Sequence, residues 1–213
     1  GDYVTPQQPL IQLDVTRFKA ELDIIRGQVW AHLAHVDRLK SERDGLASVE
    51  FSGDLMLIQD ERAQSARENE VALFDVRRAD RYGEVSMLRQ RILQLSTQSE
   101  GIREVLEAKT KVSKSIEEEI AELSKLLADG YVDKQRIRML DRSLAEVYGE
   151  ISDLEAQTLS VSSSIDEANL KILQLEKRFM SSVVNELAQT HAALFDLRQR
   201  ELAANDRVQR ASI

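Results

Sequence analysis

Apolar residues recur at alternating steps of three and four along most of this chain, the spacing of one face of a helix. From 85 to 127 the series is Val85, Leu88, Ile92, Leu95, Ser99, Ile102, Leu106, Lys109, Ser113, Ile116, Ile120, Leu123 and Leu127. From 137 to 179 it is Ile137, Leu140, Leu144, Val147, Ile151, Leu154, Thr158, Val161, Ile165, Ala168, Ile172, Leu175 and Phe179. Asp129-Gly130 lies between the two, and glycine takes the left-handed conformation that often ends a helix. Positions whose numbers sum to 260 stay in phase throughout, so that Leu123 meets Ile137, Leu106 meets Leu154 and Val85 meets Leu175. Ser99, Lys109 and Ser113 then face Val161, Ile151 and Val147. This symmetry predicts that the two helices pair with each other, as an antiparallel hairpin turning at 129–130. At about 1.5 Å per residue, each arm would be roughly 100–115 Å long. Past Phe179 the steps become four and four, to Val183 and Leu187, a stutter that locally unwinds a supercoil.

A shorter series, Phe18, Leu22, Ile25, Val29, His32, Val36 and Leu39, predicts a first helix. Trp30 and Leu33 widen its face, so it is expected to touch more than one neighbour and to lie along the hairpin as a third strand. Residues 48–60 break the pattern with the turn chemistry of Ser52-Gly53-Asp54, and Asp60 is a second cap site. The expected order is an extended stretch at 1–14, a first helix at 15–47 and a connector at 48–60. An ascending arm at 61–128, a turn at 129–130, a returning arm at 131–205 and a short tail at 206–213 follow. The fold class is all-α: a long antiparallel coiled-coil hairpin, a shorter third helix, and short extended ends.

Composition agrees. Both prolines, Pro6 and Pro9, stand in the first ten of 213 residues, leaving the rest free of the residue that breaks helices. Aromatics make up 5% and charged residues 31%. The net charge is −8 with signs interleaved, which leaves no basic face for nucleic acid. Cysteine is absent, and no apolar run reaches the length of a membrane span. No catalytic constellation, cofactor loop or metal set is legible. His32 and His35 stand at i and i+3 without a carboxylate to complete a ligand set. The segment around the turn, 126–134, resists a purely structural reading. Tyr131 and Val132 stand at the end of a long hairpin, where little core exists to bury them. Exposed apolar residues at such an end point to a partner, while Leu127 and Val132 closing the last layer is the alternative.

Several stretches resemble the periplasmic adaptor, or membrane fusion, subunits of bacterial type I secretion systems. These are of the hemolysin D type, and the likeness is to the protease and lipase exporter branch. GDYVTPQQPLIQLD at 1–14 resembles the end of the first half of a split lipoyl-like domain, matching at Gly1, Asp2, Val4, Leu10, Leu13 and Asp14, with Gln7 where glycine is usual. ALFDVRR at 72–78 and LLADGYVDKQRIRMLDR at 126–142 resemble the family's helix opening and hairpin tip, and ANDRVQRASI at 204–213 the approach to the second lipoyl half. The resemblance implies a periplasmic bridge between an inner-membrane ABC transporter and a TolC-like outer-membrane channel. It implies a parent protein anchored in the inner membrane by an N-terminal segment, copies assembled in a ring, and no enzymatic role. The tip residues expected to meet a partner are Leu126, Asp129, Gly130, Tyr131, Val132, Asp133 and Lys134. Related drug-efflux adaptors carry an Arg-Leu-Ser trio at the tip. Here Leu126 takes the leucine, while Glu122 and Asp133 stand at the other two places. A coiled-coil spacer or tether with no transport role is the competing expectation.

Overall fold

The computed structural model describes residues 15–129 and 131–211. Its helices are α1 (Thr16–Arg43), α2 (Gly53–Met56), α3 (Glu61–Ala128) and α4 (Lys134–Ala211). No strand occurs among the described residues. The extended stretch expected at 1–14 lies outside them, as do Gly130 and residues 212–213. α4 opens three residues later than the periodicity suggested and stays helical through Ala211, six residues past the expected 205. Contacts divide the chain into two units, Gly1–Tyr82 with Glu176–Ile213, and Gly83–Leu175.

In the unit Gly83–Leu175 the two arms bury a single stripe each. Every stripe position named above on α3 from Val85 to Leu127, and on α4 from Ile137 to Leu175, is buried or half-buried. Nearly all positions between them are exposed. Polar contacts across the arms straddle the expected reflection. Lys109 pairs with Glu150, Arg136 with Glu119 at 3.1 Å, and the Tyr148 hydroxyl donates to Glu117. Their residue numbers add to 259, 255 and 265, on either side of 260. Lys109 therefore lays its stem in the seam and carries its ammonium out to a carboxylate. Ser113, buried in the seam, returns its hydroxyl proton to the Thr110 carbonyl at 2.9 Å. The chain lacks cysteine, so Leu106→Cys with Leu154→Cys should give a crosslink within one chain on oxidation. Crosslinks found only between chains, on a reducing-versus-oxidising gel, would refute the pairing.

In the other unit three helices pack together. Arg26 pairs with Glu201 and Glu21 with Arg207, both at 3.3 Å, so α1 runs antiparallel to α4. Trp30 lies under the Arg62 guanidinium at 5.3 Å and Arg38 bonds Glu70 at 2.5 Å, so α1 runs parallel to α3. Val29, Val36 and Leu39 of α1 pack with Val183, Leu187, Leu194 and Leu197 of α4. The buried positions of α4 follow the four-and-four stutter at Phe179, Val183 and Leu187 without a break in the helix.

α1 ends at Asp44-Gly45-Leu46. Gly45 adopts φ +68°, its amide donates to the Glu42 carbonyl, and the Leu46 amide reaches back to the Ser41 carbonyl at 2.9 Å. These are the paired bonds of a Schellman end, which only glycine enters without strain. The connector then returns along α1 and α3. Arg78 of α3 donates to the Ala47 carbonyl, the Ser52 amide donates to Asp37 at 2.8 Å, and Leu55 of α2 is fully buried between Ala34 of α1 and Ala63 of α3. Asp60 caps α3 by accepting from the Arg62 amide at 2.9 Å. Hydrogen bonds from the Arg62 side chain and backbone hold its carboxyl down at about 2.

Candidate functional site

The hairpin turn is built on the same sequence device as the end of α1. Asp129-Gly130-Tyr131 repeats the order Asp-Gly-apolar of Asp44-Gly45-Leu46. The Tyr131 amide donates to the Leu126 carbonyl at 3.0 Å, matching the Leu46 bond to Ser41. In a helix end of this kind the apolar residue after the glycine usually packs back on the last turn. Leu46 does so and is half-buried beside Phe74. Tyr131 does not: 80% of it is exposed, and Leu126 beside it is 43% exposed. The difference is in what lies underneath. α1 ends against two other helices, whereas the turn has only the two arms that it joins.

The other expected tip residues divide by role. Val132 and Leu127 are half-buried. Asp129 is exposed. Asp133 caps α4: its carboxylate accepts from the Gln135 amide at 3.1 Å, and its carbonyl from the Arg136 amide. Lys134 is exposed in the first turn of α4. Gly130 lies outside the described residues. The turn thus presents an apolar pair, Leu126 and Tyr131, among the charged groups Asp129, Asp133 and Lys134. No group of acidic, histidine or cysteine residues able to hold a metal occurs among the described residues. His35, half-buried on α1, faces an ion cluster rather than a ligand set.

That cluster is the feature sequence reasoning missed. Arg38 of α1 is 1% exposed. Its guanidinium bonds Glu42 at 2.6 Å and Glu70 of α3 at 2.5 Å, with Glu186 of α4 at 3.9 Å. Arg77 of α3 bonds Glu42 at 3.2 Å and Glu186 at 3.0 Å, and the Ser182 hydroxyl donates to Glu186 at 2.8 Å. Two arginines thus meet three glutamates across three helices. Burial pulls the Glu186 carboxyl upward, but the Arg77 bonds and the Ser182 hydroxyl outweigh it and hold it below the usual range. Burial pushes the His35 imidazole below its ordinary value, against the opposing pull of Glu70. Only the Arg38–Glu42 spacing of four carried a sequence signal, and that spacing more often marks a solvated pair.

A family model described as AprE, long alpha-helical hairpin, matches residues 18–207. The chain belongs to that family. It is 34% identical over its whole length to the type I secretion system membrane fusion protein PrsE of Rhizobium meliloti (strain 1021), and spans 49% of that relative's length. Its fold is similar to the crystal structure of the soluble domain of LipC, a membrane fusion protein of a type I secretion system. There the TM-score is 0.92 at 27% identity, covering all of this chain and 80% of that one. The resemblance to type I secretion adaptors read from the sequence is the one these matches show, and the AprE-type hairpin is the fold expected from the stripes.

Proposed function

We propose that this AprE-type hairpin is the periplasmic part of an adaptor that bridges an inner-membrane ABC transporter and a TolC-like outer-membrane channel for type I protein secretion. In this reading the parent protein is anchored in the inner membrane by an N-terminal segment, copies of it assemble in a ring, and the hairpin tip docks on the channel. The role is mechanical rather than catalytic. The observation that carries docking is the bare apolar pair Leu126 and Tyr131. The helix-end motif would ordinarily bury its apolar residue, and here that residue stands in solvent. The match to type I membrane fusion proteins supports the wider role.

The test separates docking from folding. Leu126→Glu with Tyr131→Glu changes two exposed residues and should change stability by about 0.5 kcal/mol. Placed in the full-length secretion protein, the pair should abolish export while helicity and melting stay as in the parent. Normal export by a stably expressed variant would overturn tip docking and favour a plain spacer.

A further inference from the structure

The inward face of α3 loses its apolar residues over about three turns near Tyr82. Phe74 and Val85 are both buried. Between them, the positions of α3 that are even half-buried are Arg77, Arg81 and Gly83. Two arginines and a glycine thus stand where the seam would otherwise carry apolar layers. Both guanidinium groups lie over the Phe179 ring of α4, Arg81 at 4.4 Å and Arg77 at 5.7 Å. A cation laid on a ring is attracted to it but does not interlock with it as a packed apolar layer does. Few buried apolar contacts mark a stretch of low local stability.

Three other features fall at the same level. Arg81 and Phe179 sum to 260, the reflection of the hairpin, and at Phe179 the steps of α4 change to four and four. Such a stutter unwinds a supercoil locally. α1 has already ended at Arg43, and the Gly45-Leu46 end that follows lines one small cavity with Phe74, Arg78 and Arg81 of α3. Gly83 stands two residues past Arg81. Glycine is the poorest helix former after proline, and a Cβ at Gly83 would stand in open space, so packing does not require it. Gly101 and Gly149 are equally open, but seam residues adjoin them, Ile102 beside the first and Val147 and Ile151 about the second. At Gly83 the glycine, the thin seam, the stutter and the end of the third helix coincide.

We propose that α3 and α4 share a hinge at this level, with Gly83 and the Phe179–Val183 stutter as its two soft points. Helices bend sharply where a glycine or an irregular step interrupts their ladder. Here each arm carries one such interruption, and the seam between them offers the least resistance. Bending disturbs little apolar packing, because the Arg81 stem can tilt on the Phe179 ring while its charged head stays wet. From Gly83 to Ala128 α3 rises about 70 Å, so a bend of about 10° carries the end of that arm about 12 Å. The hinge lets the hairpin end search for its partner while the paired arms keep their register. That role rests on the reading that the tip docks; the hinge itself rests on the two helices alone.

Distances between spin labels test the hinge. The chain lacks cysteine, so labels attach only where a cysteine is placed, and Ser65, Thr97 and Ser115 are exposed on α3. Ser65→Cys with Thr97→Cys brackets the hinge and should give a broad distance distribution by double electron-electron resonance. Thr97→Cys with Ser115→Cys lies beyond it and should give a narrow one. Adding Gly83→Ala should narrow the first pair and leave the second unchanged. Adding Arg81→Leu as well, which sets an apolar residue opposite Phe179, should narrow the first pair to the breadth of the second. Gly101→Ala is the control. It should raise the melting temperature as Gly83→Ala does, through helix propensity, without narrowing either pair. A first pair as narrow as the second in the parent would overturn the hinge, as would a breadth that neither Gly83→Ala nor the double change reduces. In the full-length secretion protein Gly83→Ala should lower export and Gly101→Ala should not. Normal export by a Gly83→Ala protein with narrowed distances would overturn the searching role. Failure of tip docking itself would show in the Leu126 and Tyr131 variant, and leaves these distances as they are.

Discussion

Arg38→Ala should destabilise the three-helix unit by about 3–5 kcal/mol, the loss typical of removing one partner from a buried charge pair. Among the described residues Arg38 is the only cation that contacts Glu42, Glu70 and Glu186 together, one residue from each helix. Removing it leaves Glu42 and Glu186 to Arg77 and takes from Glu70 the cation it bonds. Glu70 would then sit in a largely buried position with its charge uncompensated, and the buried Glu42 would keep only its bond to Arg77. Thermal melting by circular dichroism reads the effect, and a loss under about 1 kcal/mol would show that the cluster is not holding the helices. Replacing Arg38, Glu42 and Glu70 together by Met, Leu and Met should recover most of the loss, because a packed apolar substitute avoids desolvating charges. The sign of the pH dependence follows from the same cluster. His35 is held below its ordinary value, so the unfolded chain takes up its proton first and stability falls as pH drops below 6.5. The Glu186 contribution is present above its ordinary value of 4.5 and is lost on acidification through and below it.

Leu55→Ala should cost about 2–5 kcal/mol, a large effect for a residue of a four-residue helix. Leu55 is the one fully buried side chain of α2, and it enters between Ala34 and Ala63, both wholly buried. Two alanines at facing positions of α1 and α3 leave the space that the leucine fills, with Trp30, Leu33, Phe51 and Ile58 around it. Truncation opens a cavity that the rigid helices cannot collapse. The variant should lose protection of the connector amides in hydrogen exchange, including the Ser52 amide bonded to Asp37. Protease cleavage between 46 and 60 should rise in parallel. An unchanged melting temperature and unchanged exchange would mean that the connector is held by its polar contacts alone.

These two sites mark where the sequence stopped being readable. In the Gly83–Leu175 unit each helix has one partner, so one stripe per helix carries all the burial and steps of three and four expose it. α1 has three neighbours, α3, α4 and the connector. Its buried set therefore includes Asp37, Arg38, Ser41 and Glu42, which in sequence interrupt a stripe rather than extend it. Burial of charge is decided by partners distant in the chain, here Glu70 and Glu186, and no local period records them. Asp44-Gly45 did carry a legible stop, the same signal as Asp129-Gly130, and an end placed at 47 passed over it. At the turn, the expected partner residues mixed two roles that only geometry separates. Asp133 caps α4 and Val132 is half-buried, while Leu126 and Tyr131 are exposed.

Heptad stripes repeat, and a repeating seam can slip by one period without exposing an apolar residue. The polar contacts across the Gly83–Leu175 unit weigh against this. A slip of seven residues would bring Ser143 or Gln157 to Lys109 in place of Glu150, and Asp141 or Glu155 to Glu117 in place of Tyr148. Either shift trades an ion pair for a neutral neighbour and a hydrogen bond for two like charges. The helix-end bond from Tyr131 to Leu126 sets where the chain turns, and a lysine and a tyrosine placed in mid-arm favour the same alignment far from it.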